Sequence, residues 1–167
     1  MLSRVLKTPR QPITLFVSFK WISYRDKMTN NIDPSDSSSE RKLIQELETA
    51  TKDLLWFSES EYPFKVIYWR NPHFYIEDLL QRNNYPPQTK VAVKDSQSFF
   101  AKAIKEEDWY NETEIAETKR YQNLVNLITQ NLKNIRVYLL GEVEIDVYIL
   151  GETESAIAGL TTKIVAT

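Results

Sequence analysis

The stretch RVYLLGEVEIDVYILGETESAIAGLTTKIVAT, residues 136–167, alternates apolar and polar residues in three short runs, with turn residues at Gly141, Gly151 and Gly159. Period-two patterning sends successive side chains to opposite faces of a strand, so the segment reads as an antiparallel meander. Upstream the period changes. From about Glu112 to Leu132, the residues Ile115, Tyr121, Leu124, Val125, Ile128 and Leu132 form one helical stripe that ends at Asn131 and Asn134. Ser37 and Glu40 have the spacing of a capping box, and Leu43, Ile44, Leu47, Ala50, Leu54 and Leu55 continue from it as one apolar helical face. Between these helices lie a short helix at Ile76 to Gln81, a small strand at Val91 to Val93, and a helix capped by Ser96 that runs through Phe99, Phe100 and Ile104. Early helices and a closing sheet predict an α+β sandwich with helices on both faces.

The most unusual local sequence is LLWFSESEYPFKVIYW, residues 54–69. Tyr62-Pro63 stops a helix, because the residue before proline is pushed out of the α region. Phe64 to Trp69 is aromatic and β-branched, as a strand should be. SESE is therefore expected as the joint between helix and strand. Two carboxylates, Glu59 and Glu61, stand there with no basic residue between them.

Composition narrows the chemistry. The 167 residues contain no cysteine and one histidine, which excludes disulfide frameworks, thiolate nucleophiles and Cys/His zinc sites. Residues 1–27 carry six Lys or Arg against one acid; the rest, with 15 of the 21 basic and 22 of the 23 acidic side chains, carries −7. An acidic body is poorly suited to holding phosphates directly and suits a basic partner. The apolar run Ile13 to Phe19 is too short to span a bilayer, and no small-x-small cleavage pattern follows it. MTNNIDPSDSSS, residues 28–39, is polar and low in complexity. Residues 1–39 thus read as a disordered leader, or as an extension upstream of a true start at Met28, and residues 40–167 as one domain.

No phosphate loop or nucleophile motif is present. The acids Glu142, Glu144 and Asp146 of GEVEID are a candidate metal or catalytic cluster, but acids alternating along a strand are ordinarily its solvated face. His73, alone beside Pro72, reads as a loop residue. Pattern alone leaves an acidic α+β domain that either binds a partner or, less simply, holds a metal on its own carboxylates.

Three blocks carry a resemblance further: LLWFSESEYPFKVIYW, DSQSFFAKAIKEEDWY at residues 95–110, and NLKNIRVYLLGEVEIDVYILGETESAIAGLTTKIVAT at residues 131–167. In this order they resemble the nuclease A inhibitor family of filamentous cyanobacteria, from about Lys42 to the last residue. The resemblance implies a three-layer α/β/α sandwich around a mostly antiparallel sheet, with no catalysis and no cofactor of its own. It implies a cytoplasmic protein that binds, one to one, a non-specific DNA/RNA endonuclease of the ββα-metal type, without touching nucleic acid or membrane itself. Carried over residue by residue, Glu59 stands in for the scissile phosphate, Asp108 and Trp109 make a second contact, and the hydroxyl of Thr167 reaches the nuclease's magnesium. For Trp109 the alternative is inward packing against the sandwich. Ala166 replaces an acid of the family pattern and lowers the local charge.

Overall fold

The computed structural model describes residues 37–165; the expectations for the leader and for Ala166 and Thr167 fall outside them. The meander is observed. Strands β5 (Lys133–Leu140), β6 (Glu144–Glu152) and β7 (Ile157–Val165) pair antiparallel in sequence order. Earlier strands fill the edges: β3 (Lys65–Trp69) pairs with β7, and β4 (Val91–Asp95) with β5, giving the order β3-β7-β6-β5-β4 with every pairing antiparallel. The fold is α+β.

Alternation along the strands divides the core in two. Val66, Tyr68, Val137, Leu139, Val147, Ile149, Ala158 and Leu160 face one side, where helices α1 (Ser38–Thr51), α3 (Ser96–Phe100) and α4 (Glu112–Asn131) supply Leu43, Ile44, Leu47, Phe100, Tyr121, Leu124 and Ile128. Ile67, Trp69, Leu140, Tyr148 and Leu150 face the other, where α2 (Ile76–Arg82) contributes Leu79 and Leu80. Arg82 closes that side, its guanidinium carbon 4.4 Å from the centre of the Trp69 ring.

Several boundaries differ from the pattern reading. Gly151 and Gly159 lie inside strands, and the β6–β7 turn is made by residues 153–156, where Thr153 N donates to Ala156 O. Gly159 is needed there for close approach, because a Cβ at that position would meet the backbone oxygen of Ile149 at 1.9 Å. The short helix α3 is capped by Asp95, whose carboxylate accepts from Ser98 N, and not by Ser96. The largest difference is at the end of α1. The helix stops at Thr51 because Asp53 adopts a left-handed φ of 55° and the guanidinium of Arg120 on α4 donates to the carbonyls of Lys52 and Asp53. Leu55–Trp56 then forms strand β1, paired with β2 (Tyr62–Pro63). SESE is therefore in the loop of a small hairpin and not at a helix-to-strand joint.

The capping box on α1 is present and does more than its spacing requires. Glu40 bonds the Ser37 amide at 3.3 Å, and its other oxygen accepts from Thr153 Oγ1 at 3.1 Å and from Ser155 Oγ. The start of the first helix is thereby tied to the last turn of the sheet. Burial alone would raise this carboxyl, but hydrogen bonds from Ser155, Thr153, Tyr68 and Ser37 outweigh it and hold the pKa below the ordinary value of 4.5. A depressed carboxyl stabilises the fold above its unfolded-state pKa and loses that contribution as pH falls through the folded value. The stability advantage of the native chain over Glu40→Gln should accordingly be constant near neutrality and shrink below about pH 4.5. Urea unfolding of both proteins from pH 7 down to 3 measures it, and a gap independent of pH would contradict the assignment.

Candidate functional site

The hairpin β1–β2 carries the acidic loop, residues 57–61, and is held to the body at three places. Tyr121 OH on α4 donates to the Leu55 carbonyl, anchoring β1. Thr162 Oγ1 on β7 donates to the Tyr62 carbonyl at 3.3 Å, anchoring β2. In the loop itself, Ser58 Oγ donates to Ser60 O at 2.7 Å and accepts from Ser60 N at 3.3 Å, while Val165 N at the end of β7 donates to the same oxygen at 3.4 Å. Burial pushes the Tyr121 phenol up, with the nearby Glu117 carboxylate adding to the shift, so it stays a donor to Leu55 at any ordinary pH. Below the loop, Trp56 fills the space between sheet and helices. Its ring stacks on Phe99 at 4.5 Å and on Phe57 at 5.3 Å, and meets Phe64, Phe100 and Tyr121 edge to face.

Glu59 and Glu61 are both exposed on this loop. Glu61 also lines a cleft of about 240 Å³, together with Phe57 of the hairpin, Lys102, Tyr110 just before α4, and Glu114 and Tyr121 on α4. Tyr110, in this lining, adjoins Trp109 in the segment that carries Asp108 and Trp109. That segment is tied down by its own bonds. Tyr110 N donates to Glu107 O at 3.0 Å, Gln122 Nε2 donates to Ile104 O at 2.9 Å, and the Asn111 side chain caps α4 by accepting from Thr113 N and Glu114 N. Trp109 is 76% exposed, which overturns inward packing as its role. Its ring meets Tyr110 edge to face, with centroids 6.3 Å apart.

The rival carboxylates are differently placed. Glu142 pairs with Lys90 at 3.2 Å in the β5–β6 turn, and Asp146 with Lys163 at 3.4 Å across β6 and β7. These two face lysines, and among the described residues no group of three His, Cys, Asp or Glu side chains is placed to hold a metal. His73 is exposed in the loop between β3 and α2, with its amide donating to Asn71 Oδ1 at 3.0 Å. A larger open groove of about 720 Å³ between α1 and strands β2 and β3 includes none of Glu59, Asp108 and Trp109. No helix among the described residues is long and apolar enough to cross a membrane.

The structure therefore places Glu61 of the Glu59 loop in one cleft with Tyr110, the neighbour of Trp109, and bonds Ser58 of the same loop to the end of β7. Pattern reading missed Ser58, Thr162 and Tyr121, the side chains that fix the loop. A serine two residues before another serine in a turn is a known local signal; the bonds from β7 and α4 have none. No curated protein matches the chain significantly. A family model described as nuclease A inhibitor-like protein matches residues 41–167, which takes in all but the first four of the described residues. With three-quarters of its length matched, the chain belongs to the nuclease A inhibitor-like family.

Proposed function

We propose that the chain is a protein inhibitor that occupies the active site of a non-specific, metal-dependent nuclease of the ββα-metal type, forming a one-to-one complex. A nuclease site is built from cationic groups and a metal arranged to stabilise phosphate charge, so a fixed carboxylate sits in the phosphate position without offering a bond to cut. Glu59 fills that role. Asp108 and Trp109 contact the rim of the nuclease, and the Thr167 hydroxyl joins the oxygen ligands of its magnesium, which keeps several waters and accepts such a ligand readily. The observation that supports this reading best is the bond from Val165 N to Ser58 Oγ, which sets β7 against the residue next to Glu59. Val165 precedes Thr167 by two positions, at most roughly 7 Å of chain.

Titration of cyanobacterial nuclease A with the full chain tests the reading, with stoichiometric loss of DNA hydrolysis as the expected result and undiminished hydrolysis in excess inhibitor as the contrary one. Thr167→Ala should weaken inhibition by about 1 kcal/mol, the scale of one ordinary polar contact, without changing the melting temperature. Because the metal belongs to the partner, the free chain should show little heat on titration with Mg²⁺. Tight Mg²⁺ binding by the free chain, combined with full inhibition by Thr167→Ala, would be incompatible with the bridge.

A further inference from the structure

A serine hydroxyl has one proton to donate and two lone pairs to accept with, and Ser58 uses all three: Ser60 O, Ser60 N and Val165 N are its partners. Two of these bonds close the turn in which Glu59 is the central residue. The third crosses 107 positions of sequence to the last described residue of β7. β7 is paired with β3 only as far as Thr161, opposite Lys65. Beyond that point its open edge is met by the hairpin, first through Thr162 and Tyr62 and then through Val165 and Ser58. One half-exposed hydroxyl thus fixes both the shape of the acidic loop and its position against the end of the sheet.

We propose that Ser58 is the positioning residue of the inhibitor: it holds the Glu59 turn in register with the end of β7, so that the hairpin loop and the last described residues of β7 meet the nuclease as a single preformed surface. The proposal rests on the role given to Glu59 above. Ordering a loop at the moment of binding subtracts from affinity, and a loop already ordered avoids that loss. Ser58 has no need to touch the nuclease. Removing its hydroxyl leaves Ser60 N and Val165 N without this acceptor and lets the Glu59 turn move relative to β7.

The experiment uses the full chain, cyanobacterial nuclease A, and the variants Ser58→Ala, Ser58→Thr, Glu59→Gln and Ser58→Ala/Glu59→Gln. Ser58→Ala should weaken inhibition about three- to tenfold, the equivalent of one or two neutral hydrogen bonds. Its melting temperature should stay near that of the native chain, since the loop lies outside both apolar clusters. Ser58→Thr, which keeps the hydroxyl, should recover most of the inhibition. In the Glu59→Gln background the Ser58→Ala effect should largely vanish, because a loop without its carboxylate gains little from being aimed. In the free chain, amide exchange at Val165 and Ser60 should accelerate in Ser58→Ala. Native inhibition by Ser58→Ala beside weak inhibition by Glu59→Gln would overturn the positioning role alone. Native inhibition by Glu59→Gln would overturn the role of Glu59 and this proposal with it, and unchanged exchange at both amides would reject the clamp whatever the nuclease does.

Discussion

Replacing Trp56 by alanine is expected to lower the unfolding free energy by about 3–5 kcal/mol, the range for emptying a buried large aromatic site. Trp56 is 6% exposed and lies where the hairpin, α3 and α4 meet. Five aromatic rings surround it, and pairs of this geometry contribute about 0.5–1.5 kcal/mol each beyond the area they bury. Its neighbours cannot all close the space: Phe64, Phe100 and Tyr121 are themselves buried in the same cluster, and Tyr121 is held by its bond to Leu55. Against the 5–15 kcal/mol typical of a single domain, the loss would bring the fold close to its limit. Trp56→Phe keeps an aromatic core and should lose much less. Urea unfolding of the three proteins decides the matter, and a loss below about 1 kcal/mol for Trp56→Ala would mean that the cluster does not hold the hairpin down.

That cluster also explains what was and was not legible in the sequence. The meander and the long helix α4 were legible because each presents a sustained period, and buried positions such as Tyr121, Leu124, Ile128, Val147 and Ile149 fall where those periods put them. The hairpin was not. Leu54 is buried, Leu55 exposed and Trp56 buried, a period-two pattern too short to stand out from the helical spacing that precedes it. What ends α1 is remote in sequence: Arg120 lies 67 and 68 positions from the carbonyls it caps. Tyr62-Pro63 excludes a helix, but the chain has already left α1 at Thr51. Gly151 and Gly159 misled for a related reason, since a glycine required by close backbone approach looks the same in sequence as one required by a turn.

The candidate site divides in the same way. An exposed aromatic beside an acid in EEDWY, and carboxylates in SESE without a basic neighbour, were visible as composition, and the resemblance gave them roles. What surrounds them depends on contacts remote in sequence: Phe57 and Glu61 of the hairpin share a cleft with Lys102 and Tyr110, and Ser58 bonds Val165. The acids of GEVEID show the reverse. Read along the sequence they form a cluster, but the register of β6 against β7 puts Lys163 opposite Asp146, and Lys90, the residue before β4, meets Glu142.

On the proposed reading, Glu59→Gln should weaken inhibition of nuclease A by about 2–5 kcal/mol, the loss found when one member of a buried, hydrogen-bonded charge pair is neutralised or truncated. The side chain keeps its length and shape, so the effect isolates charge. In the free inhibitor Glu59 is exposed, and substitutions at such positions ordinarily change stability by no more than about 0.5 kcal/mol. In the complex the same carboxylate would face cationic groups and a metal with water excluded, where each Coulombic interaction is several times stronger than in solvent. The loss should therefore appear as faster dissociation, with the association rate changed little, because residues 28–167, at −7 with Glu59 and −6 with its one charge removed, still steer the approach to a basic surface. Glu61→Gln, two residues away in the same loop, supplies the control: it removes an equal charge from the same hairpin and should change the dissociation rate far less. Stopped-flow association and competition-monitored dissociation separate the two rates. Equal dissociation rates for Glu59→Gln and the native chain, or equal losses for Glu59→Gln and Glu61→Gln, would show that the hairpin acts through its overall charge and that no single carboxylate occupies the phosphate position.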